Sequence, residues 1–124
     1  MILIDSCAWI EFFKGSPRGQ KIKSLIESSK CYTSIISISE ITGWCLKNNL
    51  DNSNYIKTIE ENSTIVNLKR EIAILAGIIN YQNKKSSESW GMIDSLIYST
   101  SKVYNLKLIT CDNHFRGLQD TRII

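Results

Sequence analysis

Residues 91–115 run through a helical pattern, a tight polar turn and a short apolar stretch, and no other segment limits the fold as much. Ile93, Leu96, Ile97, Val103 and Tyr104 keep helical spacing and predict an inward stripe, with Asp94 on its flank. Asn105 suits the turn, because asparagine tolerates a left-handed backbone. Residues 106–110 (Leu-Lys-Leu-Ile-Thr) form a short, largely apolar run, as a strand covered on both faces does. Strands of that kind belong to parallel sheets, and in open α/β sheets ligands gather beyond the strands' carboxyl ends. Asp112 stands at such an end.

The preceding chain repeats the alternation. Residues 1–4 read as a strand running into Asp5, and Ser6 is placed to cap a helix over 7–14 that carries Ala8, Trp9, Phe12 and Phe13. Gly15-Ser16-Pro17 breaks that helix, and Pro17 suits the first turn of the next, where Ile22, Leu25 and Ile26 share a face. Residues 31–36 predict a second strand, followed by a helix opening at Ser37 with Ile41, Cys45 and Leu46 inward. A helix over 51–62, a strand over 64–68 and an amphipathic helix over 69–83 follow, the last with Ile72, Leu75, Ala76 and Ile79 aligned. Residues 84–89 are a polar surface loop, and residues 121–124 predict a last edge strand. The expected fold is α/β: a parallel β-sheet flanked by helices on both faces, an α/β/α sandwich, in a single domain over residues 1–124.

Composition narrows the function less than the fold. A 43% apolar and 22% charged chain of 124 residues has the balance of an ordinary globular domain. A net charge of +3 permits a nucleic-acid partner without arguing for one. No apolar run reaches the ~18 residues of a membrane span and no signal-peptide pattern opens the chain, so a cytoplasmic location is expected. Cys7, Cys31, Cys45 and Cys111 lack C-x-x-C or zinc-finger spacing and read as reduced, packed thiols. Cys7 and Cys111 neighbour acids, yet packing is the expected role there too.

Four acids carry the chemistry. Each has a local job on offer: Asp5 can cap the first helix, Glu40 can close a capping box with Ser37, Asp94 can meet a helix dipole, and Asp112 can cap a short helix near Phe115. Two of them follow strands and two sit near helix starts, which sends all four to one rim of a parallel sheet. Two carboxylates ~6 Å apart repel by roughly 3 kcal/mol at an effective dielectric of about 20. With no Lys or Arg in their motifs, a divalent cation is the expected partner. Oxygen ligands point to Mg²⁺ or Mn²⁺, ions that commonly serve phosphoryl chemistry.

Leu3-Ile4-Asp5-Ser6, Ser37-Ile38-Ser39-Glu40-Ile41, Asp94-Ser95-Leu96-Ile97 with Thr100, and Leu106-x-Leu-x-Thr110-x-Asp112-x-x-Phe115 follow in that order. Together they resemble the PIN domain, and within it the VapC-type toxin nucleases of toxin–antitoxin pairs. The resemblance implies an endoribonuclease dependent on Mg²⁺ or Mn²⁺, with one or two ions per site, leaving 5′-phosphate and 3′-hydroxyl ends on RNA. It also implies a homodimer held by a cognate VapB-type antitoxin. Asp5, Glu40, Asp94 and Asp112 take the catalytic, metal-holding positions, with Asp112 orienting water or completing a second ion's place. Ser6 and Thr110 are supporting polar groups. Lys14, Arg18, Arg116 and His114 are candidate contacts to RNA backbone.

Three positions depart from the family pattern. Tyr98 stands where a small residue is usual, Asn105 where glycine is frequent, and His114 where many relatives carry a further acid. The alternative is a non-catalytic acidic-pocket module, either an inactive PIN-like domain or a receiver-like one. A receiver places two adjacent acids after its first strand, whereas Asp5 is flanked by Ile4 and Ser6. Aspartate-nucleophile phosphatases need an acid where Cys7 stands, and cysteine phosphatases would need Arg where Phe13 stands. Phosphate-cradling glycine loops are missing.

Overall fold

A computed structural model describes residues 1–124. Five strands, β1 (Ile2–Ile4), β2 (Cys31–Ser34), β3 (Thr64–Val66), β4 (Lys107–Thr110) and β5 (Thr121–Ile123), form one sheet in the order β3-β2-β1-β4-β5. All four pairings are parallel, with Leu3 opposite Tyr32 on one side and Leu108 on the other. Six helices cross between them: α1 (Ser6–Lys14), α2 (Pro17–Ser28), α3 (Ile35–Lys47), α4 (Asn52–Asn62), α5 (Arg70–Lys84) and α6 (Met92–Val103). A single 3₁₀ turn spans Asn113–Phe115. This order is not the 2-1-3-4-5 of receiver domains.

Strand alternation divides the core into two layers. Ile2, Ile4 and Ile109 point to one face and pack with Ala8, Trp9, Ile22, Ile41, Cys45 and Ile59 from α1 to α4. Leu3 and Leu108 point to the other and meet Trp90, Ile97, Tyr98 and Phe115. Trp9 is fully buried and donates its indole N–H to Thr33 Oγ1 at 3.1 Å, so its one polar atom is satisfied inside the first layer. Helix α2 lies close to α1 because Gly19 has no side chain: a Cβ there would overlap the Glu11 carbonyl.

Several boundaries differ from the sequence expectation for local reasons. The second strand stops at Ser34, whose hydroxyl accepts from Ile36 N–H at 3.1 Å and caps α3 three residues before Ser37. The capping box of Ser37 with Glu40 therefore does not form, and the Ser37 hydroxyl is buried without a partner. Leu46, expected inward on α3, is 64% exposed while Ile41 and Cys45 are buried. In α6 the expected stripe is displaced. Ile93 and Val103 are exposed, and the buried face is made of Ser95, Ile97, Tyr98, Ser99, Thr100 and Ser101. Thr100 and Ser101 tolerate this because their hydroxyls donate to the Leu96 and Tyr98 carbonyls of the same helix at 2.7 and 2.6 Å. Tyr98 fills the space a small residue would leave, reaching the Gln119 carbonyl at 3.1 Å. Asn105 takes φ +53°, the left-handed turn it was expected to make. No helix is long and apolar enough to cross a membrane.

Candidate active site

The strand order reverses direction between β1 and β4: β2 and β3 extend to one side of β1, and β5 to the far side of β4. Such a switch point opens a crevice at the carboxyl ends of the two strands, and Asp5 and Asp112 flank it. Asp5 N–H donates to the Ile109 carbonyl at 3.0 Å, which ties the end of β1 to β4.

Asp5 is buried and also caps α1, its Oδ1 accepting from Ser6 N–H at 2.8 Å. Its Oδ2 accepts from the Thr110 hydroxyl at 2.8 Å and from the Cys7 thiol at 3.4 Å. Burial pushes its carboxyl above the usual range; the Thr110, Ser6 and Cys7 hydrogen bonds oppose that rise, and the Asp112 charge adds to it. Local cap and site member are thus the same residue.

Glu40 lies on the first turns of α3, and its Oε1 accepts from Ser6 Oγ at 2.9 Å. Ser6 therefore spans Asp5 and Glu40, its backbone to one and its hydroxyl to the other. The Glu40 side chain keeps an open edge to solvent, yet the surrounding protein still raises its carboxyl. The Ser6 bond lowers it, and the Asp5, Asp94 and Asp112 charges raise it further.

Asp94 sits in the first turn of α6, where its Oδ2 accepts from Gly91 N–H at 3.0 Å. Asp112 follows β4; its N–H donates to Thr110 Oγ1 at 3.0 Å, and its Oδ1 accepts from His114 N–H at 2.9 Å. Thr110 is fully buried and links the Asp5 carboxylate to the Asp112 backbone through one oxygen. His114 Nδ1 lies 3.2 Å from Asp94 Oδ2 and 3.7 Å from Asp112 Oδ2. One ligand atom from each of Asp94, Asp112 and His114 falls within 4.8 Å of the others.

Two residues outside the expected set position these groups. Trp90 is buried, packs edge-on to Phe115 with ring centroids 5.4 Å apart, and donates to Ser95 Oγ at 2.6 Å. That contact pins the start of α6, with Asp94, to the turn carrying Asp112 and His114. An aromatic residue at the end of a polar loop, just before Gly91, is the signal for it in the sequence. Cys7 is the other. Its sulfur accepts from Cys111 N–H and contacts Thr110 Oγ1, both at 3.2 Å. Burial and the Asp5 charge push the thiol far up, so it stays protonated and serves as a hydrogen-bonding wall beside Asp5. All four cysteines are free thiols.

The expected backbone contacts are more dispersed. Lys14 ends α1 and is exposed, Arg116 Nη2 donates to Asn113 Oδ1 at 2.7 Å, and Arg18 lies beside the Cys111 thiol. None of them pairs with an acid of the site, whose one cation-capable neighbour is His114. Four carboxylates with no Lys or Arg paired to them fit a divalent ion by their donor chemistry. The one cavity, of about 280 Å³ between Phe13, Asn54, Tyr55 and Thr58, contains none of the acids. Asp5 is buried behind the rim, and Glu40, Asp94 and Asp112 are open to solvent along it.

The family model for the PIN domain matches residues 2–120. No curated protein sequence matches the chain. Among solved structures it is similar to a toxin–antitoxin complex from Klebsiella pneumoniae, at 20% identity over 98% of this chain and 96% of that one, with a TM-score of 0.79. It is also similar to VapBC2 from Rickettsia felis, bound to a DNA fragment from their promoter, at 15% identity, 100% and 98% coverage and TM-score 0.77. A third is VapC20 from Mycobacterium tuberculosis, a sarcin–ricin loop cleaving toxin, at 12% identity, 96% and 95% coverage and TM-score 0.72. At these identities the likeness to the structures is one of fold, and it extends over nearly the whole chain.

Proposed function

The chain belongs to the PIN domain family, and from that premise we propose that it is a metal-dependent endoribonuclease, the VapC-type toxin of a toxin–antitoxin pair. One observation carries this: Ser6 joins Asp5 to Glu40, Thr110 joins Asp5 to Asp112, and His114 lies against Asp94 and Asp112, so acids from four separate segments are linked with no Lys or Arg paired to them. Charge left uncompensated in that way is costly unless a cation balances it. Mg²⁺ or Mn²⁺, one or two ions, would supply Lewis-acid activation of water and neutralise charge at the scissile phosphate. Asp5, Glu40 and Asp94 are the holding residues, and Asp112 orients the attacking water or completes a second ion's place. Ser6 and Thr110 fix Glu40 and Asp5 in position through the bonds described above. An open rim suits a polymer better than a small molecule, which would favour an enclosed pocket.

The similar structures supply the context. Two are toxin–antitoxin assemblies and one is of a toxin that cleaves the sarcin–ricin loop, which supports RNA as substrate and a VapB-type antitoxin as partner. Homodimerisation is supported by α5, where Ile74, Ile78 and Tyr81 share one outward face at 48%, 49% and 68% exposure. A cytoplasmic location accords with such a substrate.

The test is cleavage of labelled structured RNA by the purified protein, with Mn²⁺, Mg²⁺ or chelator, beside Asp94→Asn. Metal-dependent cleavage by the wild type, reduced at least about a hundredfold in the variant, is expected. Neither cleavage nor metal binding by the wild type would overturn the nuclease and leave an acidic-pocket binding module.

A further inference from the structure

We infer that His114 Nδ1 is the third donor of a cation centre shared with Asp94 and Asp112, and that it tilts this centre toward Mn²⁺ and away from Mg²⁺. This rests on the proposal that the acids hold a divalent ion.

The placement of the ring is specific. Its Nδ1 faces Asp94 Oδ2 at 3.2 Å and Asp112 Oδ2 at 3.7 Å, within the span over which one ion can gather all three atoms. The residue is anchored on both sides. His114 N–H donates to Asp112 Oδ1 at 2.9 Å, and the next side chain, Phe115, is buried against Trp90. Asp94 is held independently by Gly91 N–H, so the two halves of the centre come from elements already fixed without an ion. The imidazole side chain is 40% exposed, so the nitrogen can be approached from solvent.

The chemistry of that nitrogen decides which ion fits. Nδ1 lies within hydrogen-bonding distance of Asp94 Oδ2, and no Lys or Arg pairs with Asp94 or Asp112. A cation between the three side chains would turn that single contact into a three-donor grip. Mg²⁺ demands oxygen donors in near-ideal octahedral geometry and gives up its waters reluctantly. Imidazole is a borderline-soft ligand and binds Mn²⁺ and later first-row ions in preference to Mg²⁺. An oxygen-only cluster at the same place would make that distinction less sharply. A neutral nitrogen in the set also lowers the total negative charge on which Mg²⁺ relies.

The test is Mn²⁺ binding to the full chain, read by pulsed electron paramagnetic resonance and by calorimetry with Mg²⁺ as competitor, beside His114→Asp and His114→Ala. Neither substitution touches the Asp112 turn bond, which uses the backbone N–H of residue 114. Expected are ¹⁴N couplings on Mn²⁺ in the wild type, lost in both variants, and a Mn²⁺-over-Mg²⁺ preference that falls about tenfold in His114→Asp. Mn²⁺ bound without nitrogen coupling, or a preference unchanged in His114→Asp, would overturn the inference and leave the acidic metal site standing. Failure of the wild type to bind either ion would overturn both.

Discussion

Thr110 donates its hydroxyl proton to Asp5 across 2.8 Å and accepts the Asp112 N–H on the same oxygen at 3.0 Å, so one buried side chain joins acids from opposite ends of the sequence. Thr110→Val keeps the shape and removes both bonds. The Asp112 N–H and one Asp5 oxygen then lack their partner, at a cost of about 1–3 kcal/mol each way it is counted. The expected outcome is a lower urea midpoint with unchanged slope, and Mn²⁺ affinity weakened about tenfold. Thr110→Ser restores both, since the hydroxyl is what acts.

The raised carboxyls fix the sign of a pH effect. Asp5 and Glu40 bind protons more tightly in the folded chain than in the unfolded one, so folding gains most below the ordinary carboxylate range of about 4. That gain disappears as pH rises through the folded values. In chelator, the thermal midpoint is expected to fall between about pH 4 and pH 7, and to fall less in Asp5→Asn. Saturating Mn²⁺ should flatten the profile, because a cation stabilises the ionised acids. A midpoint in chelator that climbs over that window faster in the wild type than in Asp5→Asn would contradict this.

Two serines near the start of α3 can be told apart by stability. Ser34 holds the cap bond to Ile36 N–H, and Ser34→Ala is expected to cost about 1 kcal/mol. The Ser37 hydroxyl is buried without a partner, and Ser37→Ala is expected to be neutral or to stabilise by up to about 1 kcal/mol. A capping box at Ser37 would give the reverse order. Chemical denaturation of both variants decides it.

Much of this is legible in the sequence. Ile2, Leu3 and Ile4 form an apolar run that stops at an acid, as does the strand before Asp112, and a parallel sheet sends both acids to the same edge. The errors have physical sources. Ser34 and Ser37 are both plausible caps, and only the point where β2 ceases to pair selects the first. The buried face of α6 was hidden because Ser95, Thr100 and Ser101 count as polar, although each returns its hydroxyl to a carbonyl of its own helix and enters the core at little cost. Glu40 against Ser6, and His114 against Asp94, are contacts between elements separated in sequence, which no local pattern encodes.

Gly19 offers a test of the helical layer. A methyl group at that position would overlap the Glu11 carbonyl and crowd the Phe12 Cα, both backbone atoms that cannot step aside. Gly19→Ala is expected to destabilise by about 3 kcal/mol, against the gain alanine usually brings to a helix. Equilibrium unfolding provides the number, and Gly43→Ala, where a Cβ meets nothing, is the control.

The central position of β1 has a consequence for the timing of activity. Its neighbour β4 is contributed by residues 107–110, and the bond from Thr110 to Asp5 closes a separation of 105 residues. A chain emerging from the ribosome carries Asp5 and Glu40 well before one wall of the crevice exists. Contacts so distant in sequence form late, after the loop between them has been closed. On the function proposed above, the set of four acids is incomplete until residue 112 has cleared the exit tunnel.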